Sequence, residues 1–195
     1  MKYLLEHEAG FDASCIGFPS ITGCHAICLA TNKGLFGYHN AGGSAVGSFH
    51  TRAQNFLAFV QGNLGGTLPI VHHIYGSSFI GNNGRGYTQG WVRQEWRAEL
   101  ETIAGHFNYS GPISGCDLAQ WIRGDSSSSA YVEYESLGKG CTVSMKKWSE
   151  AGKQIAPNPK QNDLKKLIGT MENSNVVVGV DRTGLSKVIP EIIRG

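Results

Sequence analysis

The sequence predicts an α+β fold: a mixed β-sandwich with outer helices. Two observations carry that prediction. Short apolar runs bounded by Gly, Asn and Ser recur along the chain, as at residues 26–30, 35–39, 68–75 and 141–147, and such runs read as strands. Glycine supplies 27 of the 195 residues, about twice its usual share, which suits turn-rich sheets better than a helical bundle.

The first element is a hairpin. Ala26, Ile27, Cys28, Leu29 and Ala30 form one buried run and Leu35, Phe36, Gly37, Tyr38 and His39 another. Thr31-Asn32-Lys33-Gly34 lies between them as a turn, with Asn and Gly tolerating positive φ. Residues 49–63 then read as a helix, with Phe49, Ala53, Phe56, Leu57 and Val60 as its apolar stripe and glycines from 62 to 66 ending it. A strand follows at 68–75, then a polar, glycine-rich loop at 77–87. Thr88 is the predicted N-cap of a second helix through His106, with Val92, Trp96, Leu100 and Ile103 facing inward. Further strands are predicted at 131–137, 141–147 and 175–181. Residues 152–162 read as a polar connector and 163–171 as a short helix. There is no internal repeat and no composition break, so residues 1–195 read as a single catalytic domain.

Charged residues make up 16% of the chain and the net charge is +2. The basic pairs Lys146-Lys147 and Lys165-Lys166 stand alone, which argues against nucleic acid as a partner. No apolar stretch reaches the eighteen residues of a membrane helix, and the N-terminus turns acidic at Glu6 and Glu8, unlike a Sec signal peptide. Five cysteines at irregular spacing favour reduced thiols over a disulfide framework. Cys15, Cys24, Cys28 and His39 lack the paired spacing of a zinc knuckle, so no metal is expected.

The chemistry concentrates in Gly23-Cys24-His25, with His39 fifteen residues beyond Cys24. A hairpin folded about Asn32-Lys33 sets Cys24 near His39 or Asn40. A thiol beside an imidazole is the arrangement of a Cys–His catalytic pair, whose thiolate is the nucleophile. Gly23 permits close backbone approach and an oxyanion pocket. Two rivals remain: His72 or His73 as the base in a papain-like order, and Cys116, preceded by Gly115, as the nucleophile. His7, His25, His50 and His106 read as ordinary surface or half-buried residues, and Trp91, Trp96, Trp121 and Trp148 as core or rim packing. The competing reading of another class is a binding domain that keeps Cys24 in its core.

Thr22-Gly23-Cys24, two strands and then His39 resemble the active-site hairpin of the bacterial glutamine deamidases. That superfamily includes the cytotoxic necrotizing factor catalytic domain, Burkholderia lethal factor and the chemotaxis receptor deamidase CheD. Thr22-Gly23-Cys24 is similar to the Ser-Gly-Cys of the toxins, and Cys24-x-x-x-Cys28 resembles a feature of CheD. The resemblance covers about residues 18 to 75. It implies a protein glutamine deamidase with Cys24 as nucleophile and His39 as base, using no cofactor. Several members carry a threonine six residues before the cysteine as the third catalytic member, where this chain has Phe18. The Phe18 carbonyl, Ser20 and Thr22 therefore stand as alternatives for that role. The resemblance further implies a monomeric toxin or effector, exported without a Sec signal into a host cytoplasm and acting on a Rho-type GTPase or a translation factor. The other settings it allows are the bacterial cytoplasm, and protease or transglutaminase chemistry.

Overall fold

In the computed structural model of the protein, residues 1–41, 48–80, 92–122, 129–157, 164–167 and 175–195 are described. Fourteen strands and three α-helices occur among them. The strands are β1 Lys2–Tyr3, β2 Glu8–Asp12, β3 Cys15–Ile21, β4 Cys24–Thr31, β5 Gly34–Ala41, β6 Val71–Ser78, β7 Ile113–Asp117 and β8 Ala130–Ser136. They continue as β9 Cys141–Lys147, β10 Gln154–Pro157, β11 Leu164–Lys166, β12 Asn175–Gly179, β13 Ser186–Val188 and β14 Glu191–Arg194. The helices are α1 Phe49–Asn63, α2 Arg93–His106 and the single turn α3 Leu118–Trp121.

A seven-stranded sheet runs in the order β11-β2-β5-β4-β6-β7-β14, a five-stranded sheet in the order β1-β3-β8-β9-β13, and β10 pairs with β12 as a separate ribbon. Pairing is antiparallel except for β1 with β3 and β6 with β7. The architecture is α+β, as the sequence predicts. One core lies between the two sheets and holds Phe18, Ile21, Ala26, Cys28, Tyr134 and Met145. A second lies between the seven-stranded sheet and α1 and α2, and holds Ile27, Phe36, Tyr38, Phe56, Trp96 and Leu100. The result is three layers: helices, large sheet, small sheet.

β4 and β5 are continuous runs of buried residues because both of their faces are covered. Alternate side chains enter alternate cores: Ala26, Cys28 and Ala30 one way, Ile27 and Leu29 the other. Thr31 pairs with Gly34 across the turn. Of the two residues expected to take positive φ there, Gly34 alone does so, at 128°. α1 starts where Ser48 Oγ accepts from Thr51 N at 3.2 Å. Ala53, Phe56 and Val60 of its predicted stripe are buried, with Phe49 and Leu57 partly so. α2 buries Trp96, Leu100 and Ile103, but Val92, expected on that face, is 57% exposed. Thr88 lies outside the described residues.

Several expectations need correction. Residues 164–166 form an edge strand against β2, not part of a helix. Leu-Lys-Lys is too short to show a period, and lysine is common on sheet edges. The connector at 152–162 contains β10. β6 extends to Ser78, so the first two residues of the predicted loop are strand. Their hydroxyls are satisfied internally: Ser77 Oγ lies 2.6 Å from Tyr134 Oη, and Ser78 Oγ donates to the Cys24 carbonyl at 2.7 Å.

Gly76 sets how closely α2 approaches the sheet. A Cβ there would collide with the His25 ring and lie 2.8 Å from both methyl carbons of Leu100. Gly76→Ala is expected to destabilise the fold by about 1–3 kcal/mol through overpacking. Urea denaturation measures it, and an unchanged midpoint would mean that α2 is free to move outward.

Candidate active site

The β4–β5 register is Cys24↔Ala41, His25↔Asn40 and Ala26↔His39. Cys24 therefore faces Ala41 directly, and His39 is its diagonal neighbour on the same sheet face. Diagonal Cα atoms in an antiparallel pair are roughly 7–8 Å apart, within reach of a long side chain. Alternation places Cys24 and His39 toward the inter-sheet core, and His25 and Asn40 toward the helices.

His39 is 1% exposed. Its Nδ1 donates to the Leu4 carbonyl at 2.7 Å. Its own carbonyl accepts from His7 N at 2.8 Å. Both contacts come from the segment that carries the chain from β1 in the small sheet to β2 in the large one. Glu8 braces this crossover by accepting from Leu5 N at 2.7 Å. The acceptor that orients the imidazole is thus Leu4, and the expectation of one from Phe18, Ser20 or Thr22 gives way to it. Phe18 contributes its ring, which meets His39 edge-on at 6.1 Å between centroids. Ser20 sits at positive φ, 56°, in a register shift of β3 against β8. Together with Leu5, Glu6, Pro19, His39, Ile155 and Val176, it lines a cavity of about 320 Å³.

Burial pushes the His39 imidazole down to about 4, against the opposing pull of the Leu4 carbonyl. The ring is therefore neutral at pH 7. Because Nδ1 carries the proton bonded to Leu4, the lone pair is on Nε2. Nε2 is buried and makes no hydrogen bond, so the Cys24 thiol does not donate to it in this state. In this state a thiol and a neutral imidazole share one sheet face, with no hydrogen bond between the Cys24 sulfur and His39 Nε2.

Cys24 is half-buried at the start of β4 and packs against the inter-sheet core. The β4–β6 ladder ends at Ala26↔Ser77, and the Ser78 hydroxyl takes over beyond it by bonding the Cys24 carbonyl. Sequence reasoning missed both Leu4 and Ser78. A backbone carbonyl carries no residue signature, and a serine before a glycine-rich stretch reads as loop.

The rivals fall away: His73, and His72 beyond it, on position, and Cys116 on burial. His73 pairs with Ala30, six residues along β4 from Cys24, or about 20 Å at strand rise. It bonds Ser114 and stacks on Tyr75. Cys116 is 3% exposed, and burial pushes its thiol up to about 12. Burial, then Glu133, pushes Cys15 up to about 12, and burial also raises Cys28 well above the ordinary thiol range. These three are poor nucleophiles at neutral pH. His25, read as surface or half-buried, is fully buried. Among the described residues no group of three or more His, Cys, Asp or Glu side chains is placed to hold a metal ion. No protein-family model matches this chain, and no curated protein matches it in sequence.

The folded-state value of His39 lies below its unfolded value near 6.5. Between those values the unfolded chain binds the extra proton, so stability is full above pH 6.5 and falls as pH drops toward 4. The contribution is on the order of 3 kcal/mol. Wild type is expected to lose about that much more than His39→Gln between pH 7 and 4 in urea denaturation. Parallel losses in the two proteins would show that His39 is not held neutral.

Proposed function

We propose that this protein is a cysteine-dependent protein glutamine deamidase, with the sandwich of the deamidase superfamily as its fold. The observation that carries the reading is the placement of Cys24 and His39 on one face of a hairpin buried on both sides. His39 is held there in a single tautomer by Leu4.

Substrate binding brings the thiol to Nε2, since catalytic hydrogen bonds commonly tighten only in the substrate complex. Opposite charges favour each other, so proton transfer from sulfur to Nε2 raises the imidazole and lowers the thiol together. The Leu4 carbonyl steadies the imidazolium that forms. The thiolate attacks the glutamine carboxamide carbon, and the tetrahedral oxyanion is held by backbone N–H groups, including that of Cys24. Collapse breaks the C–N bond, and the Nε2 proton leaves with nitrogen as ammonia. Water then gives its proton to His39 and adds to the thioester, and release of the sulfur leaves glutamate and the free thiol. Every group that moves a proton belongs to the chain, so the cycle needs no cofactor.

The substrate class is a regulatory protein of a host cell, a Rho-type GTPase or a translation factor, reached by an exported effector. Incubating candidate proteins with wild type and with Cys24→Ala, followed by mass spectrometry, tests this. An amide-to-acid mass gain at one glutamine, absent with Cys24→Ala, is the expected result. Chain cleavage would instead identify a protease, and a glutamine–lysine crosslink a transglutaminase. His39→Ala is expected to slow turnover by about 10²–10⁴-fold, the range of a lost general base.

Thiol labelling gives a further check that needs no substrate. Iodoacetamide at neutral pH is expected to modify Cys24 first and half-buried Cys141 later, with Cys15, Cys28 and Cys116 protected by burial. A Cys24 that stays unmodified in the folded protein would favour the binding-domain reading.

A further inference from the structure

Behind Cys24 and His39, on the opposite face of the same two strands, one carboxylate joins four elements. Glu99 of α2 is fully buried. Its Oε1 accepts from Asn40 Nδ2 of β5 at 2.8 Å and from Arg52 Nε of α1 at 2.9 Å. Its Oε2 lies 3.2 Å from His25 Nδ1 of β4, which donates to it. His25 and Asn40 face each other in the β4–β5 ladder, one rung inside Cys24↔Ala41 and one outside Ala26↔His39. The clamped rung thus lies between the rungs that carry the two reactive side chains. Burial alone would push the Glu99 carboxyl up, but His25 and Arg52 outweigh it and hold it below the usual range, so it stays ionised.

A charge this deep is costly, and replacing a buried ion pair by apolar residues is often neutral or stabilising. Stability alone therefore gives little reason for an acid here, where Leu or Met would fill the core. Position gives a better one. The β4–β6 ladder runs to Ala26↔Ser77, and beyond it Ser78 reaches the Cys24 carbonyl with its side chain in place of a backbone rung. A carboxylate that takes one bond from each strand end fixes their spacing and ties them to both helices.

Resting on the deamidase reading for its kinetic part, we infer that Glu99 is a positioning residue for the Cys24–His39 pair. It acts through His25 and Asn40 and touches neither the substrate nor the reacting atoms. Glu99→Gln keeps the size and leaves an oxygen for Asn40 and Arg52. It presents N–H to His25 Nδ1, which accepts in its other tautomer, so the variant exchanges the charged contact to β4 for a weaker neutral one.

The test compares wild type, Glu99→Gln and the double variant Glu99→Met/Arg52→Met. The double variant removes the buried charge pair as a whole and preserves a folded protein if the single change does not. Amide hydrogen exchange is read at Cys24, His25, Asn40 and Ala41 and at mid-hairpin Leu29 and Phe36, alongside kcat and KM for glutamine deamidation. The expected result is faster exchange confined to the hairpin end, with kcat lower by about 10²-fold and KM unchanged, as for a slight misplacement of reacting groups. Exchange at the hairpin end equal to wild type in both variants would overturn the inference. So would faster exchange spread evenly over the hairpin, which marks a purely structural role, or local loosening with kcat intact. If wild type shows no Cys24-dependent turnover, the deamidase reading fails. Exchange confined to the hairpin end then still decides whether Glu99 holds it.

Discussion

β4 and β5 are covered on both faces, and the rest of the molecule is arranged around that constraint. In a strand with one wet face, every second residue is free to be polar. Here each residue belongs to the inter-sheet core or to the helix-side core. A polar side chain in these strands must therefore find an internal partner, since an unsatisfied buried polar group costs on the order of 1–3 kcal/mol. His25 and Asn40 find one in Glu99, and His39 finds half of one in Leu4. The unused half, Nε2, is buried without a hydrogen bond, as are Tyr38 Oη and Asn40 Oδ1 of the same hairpin. It differs from them in being a base beside a thiol.

The small sheet does more than cover the large one. β1 belongs to it, β2 belongs to the large sheet, and the residues between them hold His39 at both its side chain and its carbonyl. The two layers are thus joined at the base of the proposed pair, and the inter-sheet core carries mechanical as well as hydrophobic weight. Phe18 and Ile21 fill the space beneath the hairpin from β3. A loss of packing there would be felt at His39 before it was felt at the helices.

The parts legible in the sequence were those set by local rules. A two-residue turn fixes hairpin register, so the neighbourhood of Cys24 and His39 followed from counting outward from Asn32-Lys33. The direct partner proved to be Ala41, a residue or two beyond the expected contact. α1 was readable because its apolar stripe recurs at helical spacing and Ser48 caps it. β1, β2, β7, β13 and β14 were not readable. They are two to five residues long, too short for a period, and exist because neighbouring strands offer hydrogen bonds. The burial of His25 was hidden for a similar reason. Its direct partner, Glu99, lies 74 residues beyond it, and Arg52 and Asn40 join only through Glu99, so no local pattern announces such a meeting.

The orienting group on His39 is a main-chain oxygen, and that has a genetic consequence. A scan that truncates side chains one by one leaves the Leu4 carbonyl in place whatever residue occupies the position. What selection must preserve there is the path of the backbone. Leu4 itself is fully buried in the inter-sheet core, but drift in residue identity across positions 5 to 7 is compatible with an intact site. Gain or loss of one residue in that stretch would instead carry the oxygen away from the ring. Comparative work on distant relatives should weigh alignment gaps in the N-terminal segment more heavily than substitutions. An amide-to-ester replacement, which weakens a carbonyl without altering any side chain, is the chemical edit to which this site would respond.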